Sequence, residues 1–259
     1  DGVTYMSTNL PWYYVPLYFG VQLPEFLLLL LALSVVFIPL VWRKLGKPQR
    51  PGFILLLLMG FAPILYTMGG HPALYDAVRH FIFTIPMMCV LASLTGCVAS
   101  RWAIANFRQR WSRAAVGGGI AGAFGIAMAL QISLMVALHP YEYIYINRFA
   151  GSVQGAFGHY ELDYWGSSFK EAAKRIERYV KKHGGVPPGQ MTRIAICGPW
   201  DAAMIYLPPD YQPVVANEKA DYFLSTTRWM CQKMRPGKEI IRVERLGVPL
   251  AIVKDVHGR

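Results

Sequence analysis

The chain has 259 residues, 54% hydrophobic and only 16% charged, with a mean hydropathy of +0.30. Soluble domains carry about 25% charged residues, so a simple soluble enzyme is disfavoured, and disordered, collagen-like and disulfide-scaffold classes are excluded. A net charge of +11 suits nucleic acid only where it forms one footprint. Here eight basic residues fall in two short stretches between apolar runs, which is an orientation signal for a membrane protein, so no nucleic-acid partner is expected.

The charge divides the chain. Residues 1–141 carry nine Lys/Arg and three Asp/Glu, while residues 142–259 carry seventeen and twelve. The first stretch reads as membrane and the second as a soluble domain. The chain opens on Asp1 with no n-region or cleavage site, and reads as a piece of a longer protein whose N-terminal part is missing. Residues 1–22 read as an extracytoplasmic juxtamembrane loop. Its Pro-broken run from Leu10 to Tyr18 holds Trp12, Tyr13 and Tyr14. These suit an interfacial aromatic belt, or a lipid-facing loop that positions a substrate.

Four segments approach the about 20 apolar residues that a spanning helix needs: 23–42, 53–70, 80–99 and 114–138. Pro63 and Pro86 predict kinks in the second and third. The connection 43–52 holds Arg43, Lys44, Lys47 and Arg50 without an acid, and 100–113 holds Arg101, Arg108, Arg110 and Arg113 without an acid. Both are expected on the cytoplasmic side. Residues 1–22, 71–79 and everything after 138 then lie outside. This describes a multi-pass protein of the inner (plasma) membrane with a periplasmic or extracytoplasmic C-terminal domain. In the fourth segment, Gly117, Gly119 and Gly122 spell a dinucleotide-binding pattern, but no strand precedes them. Close helix packing through Gly118 with Gly122 and Ala121 with Gly125 is the preferred reading.

Between the second and third segments lies His71 to His80, with Tyr75, Asp76 and Arg79. Asp76 and Arg79 are spaced to pair on a helical turn. Arg offers a planar fork for phosphate and His80 a donor or proton-transfer group. A snorkelling Arg and a capping His are the alternative. Residues 139–166 form an aromatic and acidic linker with Glu142, Asn147, Glu161, Asp163 and Trp165. Such a mix suits glycan contact, with Glu161 and Asp163 on one side of a strand as acid/base groups or metal ligands. A packed linker that docks the soluble domain is the alternative. No cofactor is assigned from these residues, and a divalent metal is compatible.

Residues 167–259 read as a small α/β or α+β domain. Ser168 and Glu171 predict a capping box opening an amphipathic helix over 167–183, stopped at Gly184. Strands are expected at 193–197, 222–225, 239–245 and 248–253, the last two joined through Leu246-Gly247, with a short helix near 202–206. Cys89 and Cys97 lie in a span. Cys197 and Cys231 lie in the outer domain, where a disulfide would survive, and their pairing stays open.

Three runs taken together, Tyr75 to Phe83, His139 to Asn147 and Tyr160 to Ala172, resemble the C-terminal part of bacterial phospholipid-carrier-dependent glycosyltransferases. These are GT-C fold membrane enzymes similar to the protein mannosyltransferase and aminoarabinose transferase group. The run Pro11 to Pro16 resembles one of their periplasmic loops. The resemblance implies transfer of a sugar from a polyprenyl-phosphate carrier to a glycan, lipid or protein acceptor, at the membrane lipid surface. Their acidic catalytic base has no matching residue in this chain. Arg79 is then the candidate for the leaving phosphate, with His80 supporting and Asp76 orienting it. Tyr75 lies in the same run, and Trp12, Tyr13 and Tyr14 line a carrier or acceptor groove. Glu142, Asn147, Glu161, Asp163 and Trp165 are candidates for acceptor contact or docking. Competing readings are a non-catalytic membrane protein whose outer domain binds a partner or glycan, and a transporter half. Gln131 and Ser133 are its main mid-span polar residues, too few to favour the transporter.

Overall fold

The computed structural model describes residues 6–70, 72–106, 112–187 and 189–257. Arg108, Arg110 and His71 therefore lie outside the described residues. The chain divides into two compact units. One holds Val3–Leu134 and Ile146–Ala150, and the other holds mainly Met135–Tyr145 and Gly151–Arg259.

The first unit is helical. α1 covers Tyr14–Gln22, α2 Glu25–Lys44, α3 Arg50–Gly70, α4 Ile85–Asn106 and α5 Arg113–Leu138. Among the described residues, four helical stretches are long and apolar enough to cross a membrane, and they correspond to the four expected segments. Three details differ from expectation. Residues 14–22 are helical rather than loop, with Val15, Phe19 and Val21 buried. The third stretch does not start as an α-helix at His80. Ala77–Thr84 is a 3-10 helix, and Pro86 sits in the first turn of α4, where its missing N–H has no partner to lose. Pro63 does lie inside α3. Among the described residues, a Cβ added at Gly118, Gly119, Gly122 or Gly125 of α5 would meet no atom within 4 Å, while one at Gly117 would meet only the tip of Ile104.

Close helix approach occurs elsewhere. On α2 and α4, Ser34 Oγ donates to Thr95 Oγ1 at 2.9 Å, both side chains buried, and Gly96 lets Leu30 come near. Small and hydroxylated residues are the usual means for such contact in lipid. Val15, Phe19, Leu23, Leu27, Ile64, Phe81, Met88 and Ala92 form the buried cluster that joins α1 to α2, α3, the 3-10 segment and α4.

The second unit holds a five-stranded sheet in the order β2-β1-β3-β5-β4. Its elements are α6 (Ser152–Ala156), α7 (Phe169–Lys182), β1 (Thr192–Cys197), α8 (Trp200–Tyr206), β2 (Tyr211–Val215), β3 (Tyr222–Thr226), β4 (Lys238–Arg245) and β5 (Val248–Asp255). β1 pairs in parallel with β2 and β3, while β5 pairs antiparallel with β3 and β4. α7 buries Phe169, Ala172, Ala173, Ile176 and Val180 as its apolar spacing predicts, and packs on β4 and β5. β2 lies at an edge, and Pro213 within it suppresses the strand signal in the sequence. Cys197 and Cys231 form a disulfide. It ties the end of β1 to the 3-10 segment Arg228–Lys233 that follows β3.

The expected capping box is absent. Ser168 is the N-cap of α7 but makes no side-chain cap bond. Asp163 takes that role, accepting from the Ser167 amide at 2.9 Å and the Ser168 amide at 3.2 Å. Glu171 is drawn away to Tyr141, Arg175 and Arg245.

Candidate functional site

The candidate residues fall in both units, and each group is described by itself. In the first unit the entry to the third apolar stretch is a strained corner. Asp76 (φ 58°) and Ala77 (φ 61°) are both left-handed. Asp visits that region readily, while a Cβ-bearing Ala does so at a cost of about 1–3 kcal/mol unless its surroundings hold it there. Two side chains from α1 hold it. The Ala77 amide donates to the Tyr14 hydroxyl at 3.3 Å, and the Val78 amide donates to Gln22 Oε1 at 3.4 Å.

This corner brings four expected residues together. Arg79 Nη1 donates to Asp76 Oδ2 at 2.8 Å, with the Asp76 side chain only 8% exposed and that of Arg79 29% exposed. The Arg79 guanidinium carbon sits 4.9 Å from the centre of the Tyr75 ring, a cation–π contact. The His80 ring also meets Tyr75, edge-on at 4.9 Å. His80 Nε2 is buried and has no hydrogen-bond partner among the described residues. A buried ring nitrogen without a partner is costly, which makes it a position where a ligand atom would be welcome.

Tyr14 belongs to the same corner through its hydroxyl, and its ring packs on Tyr18 at 4.8 Å. Trp12 and Tyr13 are exposed just before α1, edge-to-face at 5.7 Å. Asn147 has a different place. It is fully buried, its Nδ2 donates to the carbonyls of Gly20 (2.6 Å) and Leu23 (2.9 Å), and its amide donates to Val21 O at 2.8 Å. It thus satisfies carbonyls that the end of α1 leaves open. Gln22 carried no sequence signal, because its role depends on the chain returning 56 residues later.

In the second unit Asp163 lies at the start of α7, while Glu161 and Glu142 pair elsewhere. Asp163 is 2% exposed and accepts from the Tyr143 hydroxyl, the Ser168 hydroxyl and the two amides that open α7. Burial, then the Asp163 charge, pushes the Tyr143 phenol far above its ordinary range. Glu161 accepts from Arg228 Nε at 3.0 Å. Residues 161–163 are not a strand, so the two carboxylates do not share a strand face. The Tyr143 and Tyr164 rings meet edge-on at 5.4 Å, and Trp165, half exposed, lies 6.0 Å from Tyr164. Glu142 pairs with His139 at 2.7 Å, both exposed. A backbone hydrogen bond, then the one from His139, holds the Glu142 carboxyl below its ordinary range. Among the described residues no three His, Cys, Asp or Glu side chains are grouped to hold a metal ion.

Arg228 is the partner that inspection of the sequence overlooks. It follows β3, pairs with Glu161 and stacks over Trp229 at 4.3 Å. Comparison of the chain with protein-family models, curated proteins and solved structures gives no match in any of the three. Functional assignment therefore rests on the residues themselves.

Proposed function

We propose that this chain is the C-terminal part of an integral membrane glycosyltransferase of the GT-C type. It moves a sugar from a polyprenyl-phosphate carrier to an acceptor outside the cytoplasm. The observation that supports this reading is the Arg79 corner. A nearly buried Asp76 orients the guanidinium, and beside it His80 Nε2 has no hydrogen-bond partner among the described residues. In the reaction a base takes the acceptor hydroxyl proton, the acceptor oxygen bonds to the anomeric carbon, and the bond from that carbon to the phosphate oxygen breaks. The departing phosphate gains charge. Arg79 balances that charge, and His80 donates a hydrogen bond through Nε2. Asp76 is a positioning residue. No residue of this chain is assigned as the base.

The reading carries a topology. The basic connections 43–52 and 100–113 face the cytoplasm of a bacterial inner membrane, and the sheet unit lies in the periplasm. An impermeant thiol reagent applied to intact cells then labels Gly185→Cys and spares Lys47→Cys. The reverse pattern overturns this topology. For the site, Arg79→Ala in the full-length protein abolishes sugar transfer without loss of membrane insertion. Transfer at the normal rate by that variant would remove the phosphate seat from the proposal.

A further inference from the structure

The second unit contains a cavity that none of the residues discussed so far uses. Its volume is about 600 Å³, within the roughly 300–1,000 Å³ typical of small-ligand sites. Strand register explains its floor. Phe223, Lys254 and Glu239 pair in one row across β3, β5 and β4, and Ser225, Ile252 and Arg242 pair in another. Cross-strand partners share a face, so Glu239, Arg242, Ile252 and Lys254 all line one side of the sheet. Phe157, beyond α6, and Gln232, from the 3-10 segment after β3, complete the wall.

The chemistry of the lining is specific. Arg242 donates to both carboxylate oxygens of Glu239, at 2.6 and 3.0 Å, so these two charges cancel. Lys254 donates to the carbonyls of Gln232 (2.6 Å) and Arg235 (2.8 Å), neither of which neutralises it. Gln232 Oε1 is buried and has no partner among the described residues. A complementary ligand therefore brings an anion for Lys254 and a hydroxyl donor for Gln232. Ile252, Pro249 and the ring of Phe157 offer it an apolar surface. A flexible phosphoester would leave that surface unused, whereas the C–H face of a rigid polyhydroxylated ring covers it.

We propose that this cavity binds a sugar acid, a pyranose ring carrying hydroxyls and one carboxylate. The carboxylate sits at Lys254, a hydroxyl donates to Gln232 Oε1, and the ring face lies on Phe157 and Ile252. Neither the transfer reaction nor the Arg79 corner is needed for this site, and its test reads binding alone.

The test uses the whole chain in lipid nanodiscs and isothermal titration with three probes: galacturonate, galactose and glycerol 3-phosphate. Galacturonate is expected to bind at least ten-fold more tightly than either other probe. Lys254→Met and Phe157→Ala should each weaken that binding at least five-fold. Equal binding of galactose, or equal or tighter binding of glycerol 3-phosphate, overturns the inference. Absence of galacturonate binding, or binding untouched by both variants, overturns it as well. Lys254 also anchors the 3-10 segment, so its variant risks misfolding. In that event Phe157→Ala, at a partly exposed ring, decides alone.

Discussion

Replacing Asp163 separates a ligand-contacting carboxylate from a structural one. Asp163 collects four donors: two hydroxyls and two amides at the start of α7. The hydroxyls of Tyr143 and Ser168 can rotate to new partners, but the amides of Ser167 and Ser168 cannot. Stranding a buried donor costs about 1–3 kcal/mol, and losing a carboxylate at a helix N-terminus costs about 0.3–1 kcal/mol more. Asp163→Ala should therefore destabilise the sheet unit by about 4 kcal/mol. Asp163→Asn keeps one acceptor oxygen and should cost about half of that. For a unit of about 120 residues each kcal/mol lowers Tm by roughly 3–5 °C. The Ala variant should melt roughly 12–20 °C below the parent. Near-UV circular dichroism of the full chain in detergent reads the change through Trp165, Trp200 and Trp229, three of its seven tryptophans. A loss below about 1 kcal/mol for Asp163→Ala would refute the argument. Lost activity at unchanged Tm would instead make Asp163 a substrate contact.

Glu171 gives a pH dependence. Burial alone would raise its carboxyl pKa, but the hydrogen bond from Tyr141 and the charges of Arg175 and Arg245 outweigh it and hold it below the ordinary carboxylate range. Its folded pKa is depressed, so its stabilisation is complete above about 4.5 and is lost as pH falls through the lower folded value. Acid titration of Glu171→Gln should show a flatter loss of stability below pH 4.5 than the parent, and parallel curves would count against the network. The Cys197–Cys231 bond closes a loop of sequence separation 34. A loop of that length corresponds to about 4 kcal/mol of chain entropy, so Cys231→Ser should lower the urea midpoint clearly, and an unmoved midpoint would contradict that estimate.

What the sequence made readable was local. The amphipathic spacing of Phe169, Ala172, Ala173, Ile176 and Val180 announces α7, because a single period decides which face is buried. The i, i+3 spacing of Asp76 and Arg79 likewise announces their ion pair. Long-range features were not readable. Ser168 and Glu171 match a capping box letter for letter, yet Asp163 and Arg245 compete for them once the chain folds. The left-handed backbone at Asp76 and Ala77 has no signature, since Ala disfavours it and the supports from Tyr14 and Gln22 come from a distant segment. The cavity over β4 and β5 draws on separate segments around 154–157, 232, 239–242 and 247–254, none of them unusual alone.

Pro213 hides β2 from sequence inspection, and the same residue bears on how the sheet ends. An open sheet border is a row of amides and carbonyls that invites another chain to add a strand. On one border the short β2 carries a residue that cannot donate. On the other, β4 displays Lys238, Glu239, Arg242 and Glu244 and is interrupted at two register shifts. Both borders are therefore poor templates for strand addition. Copies of this unit that are brought close together are thereby protected from polymerising edge to edge.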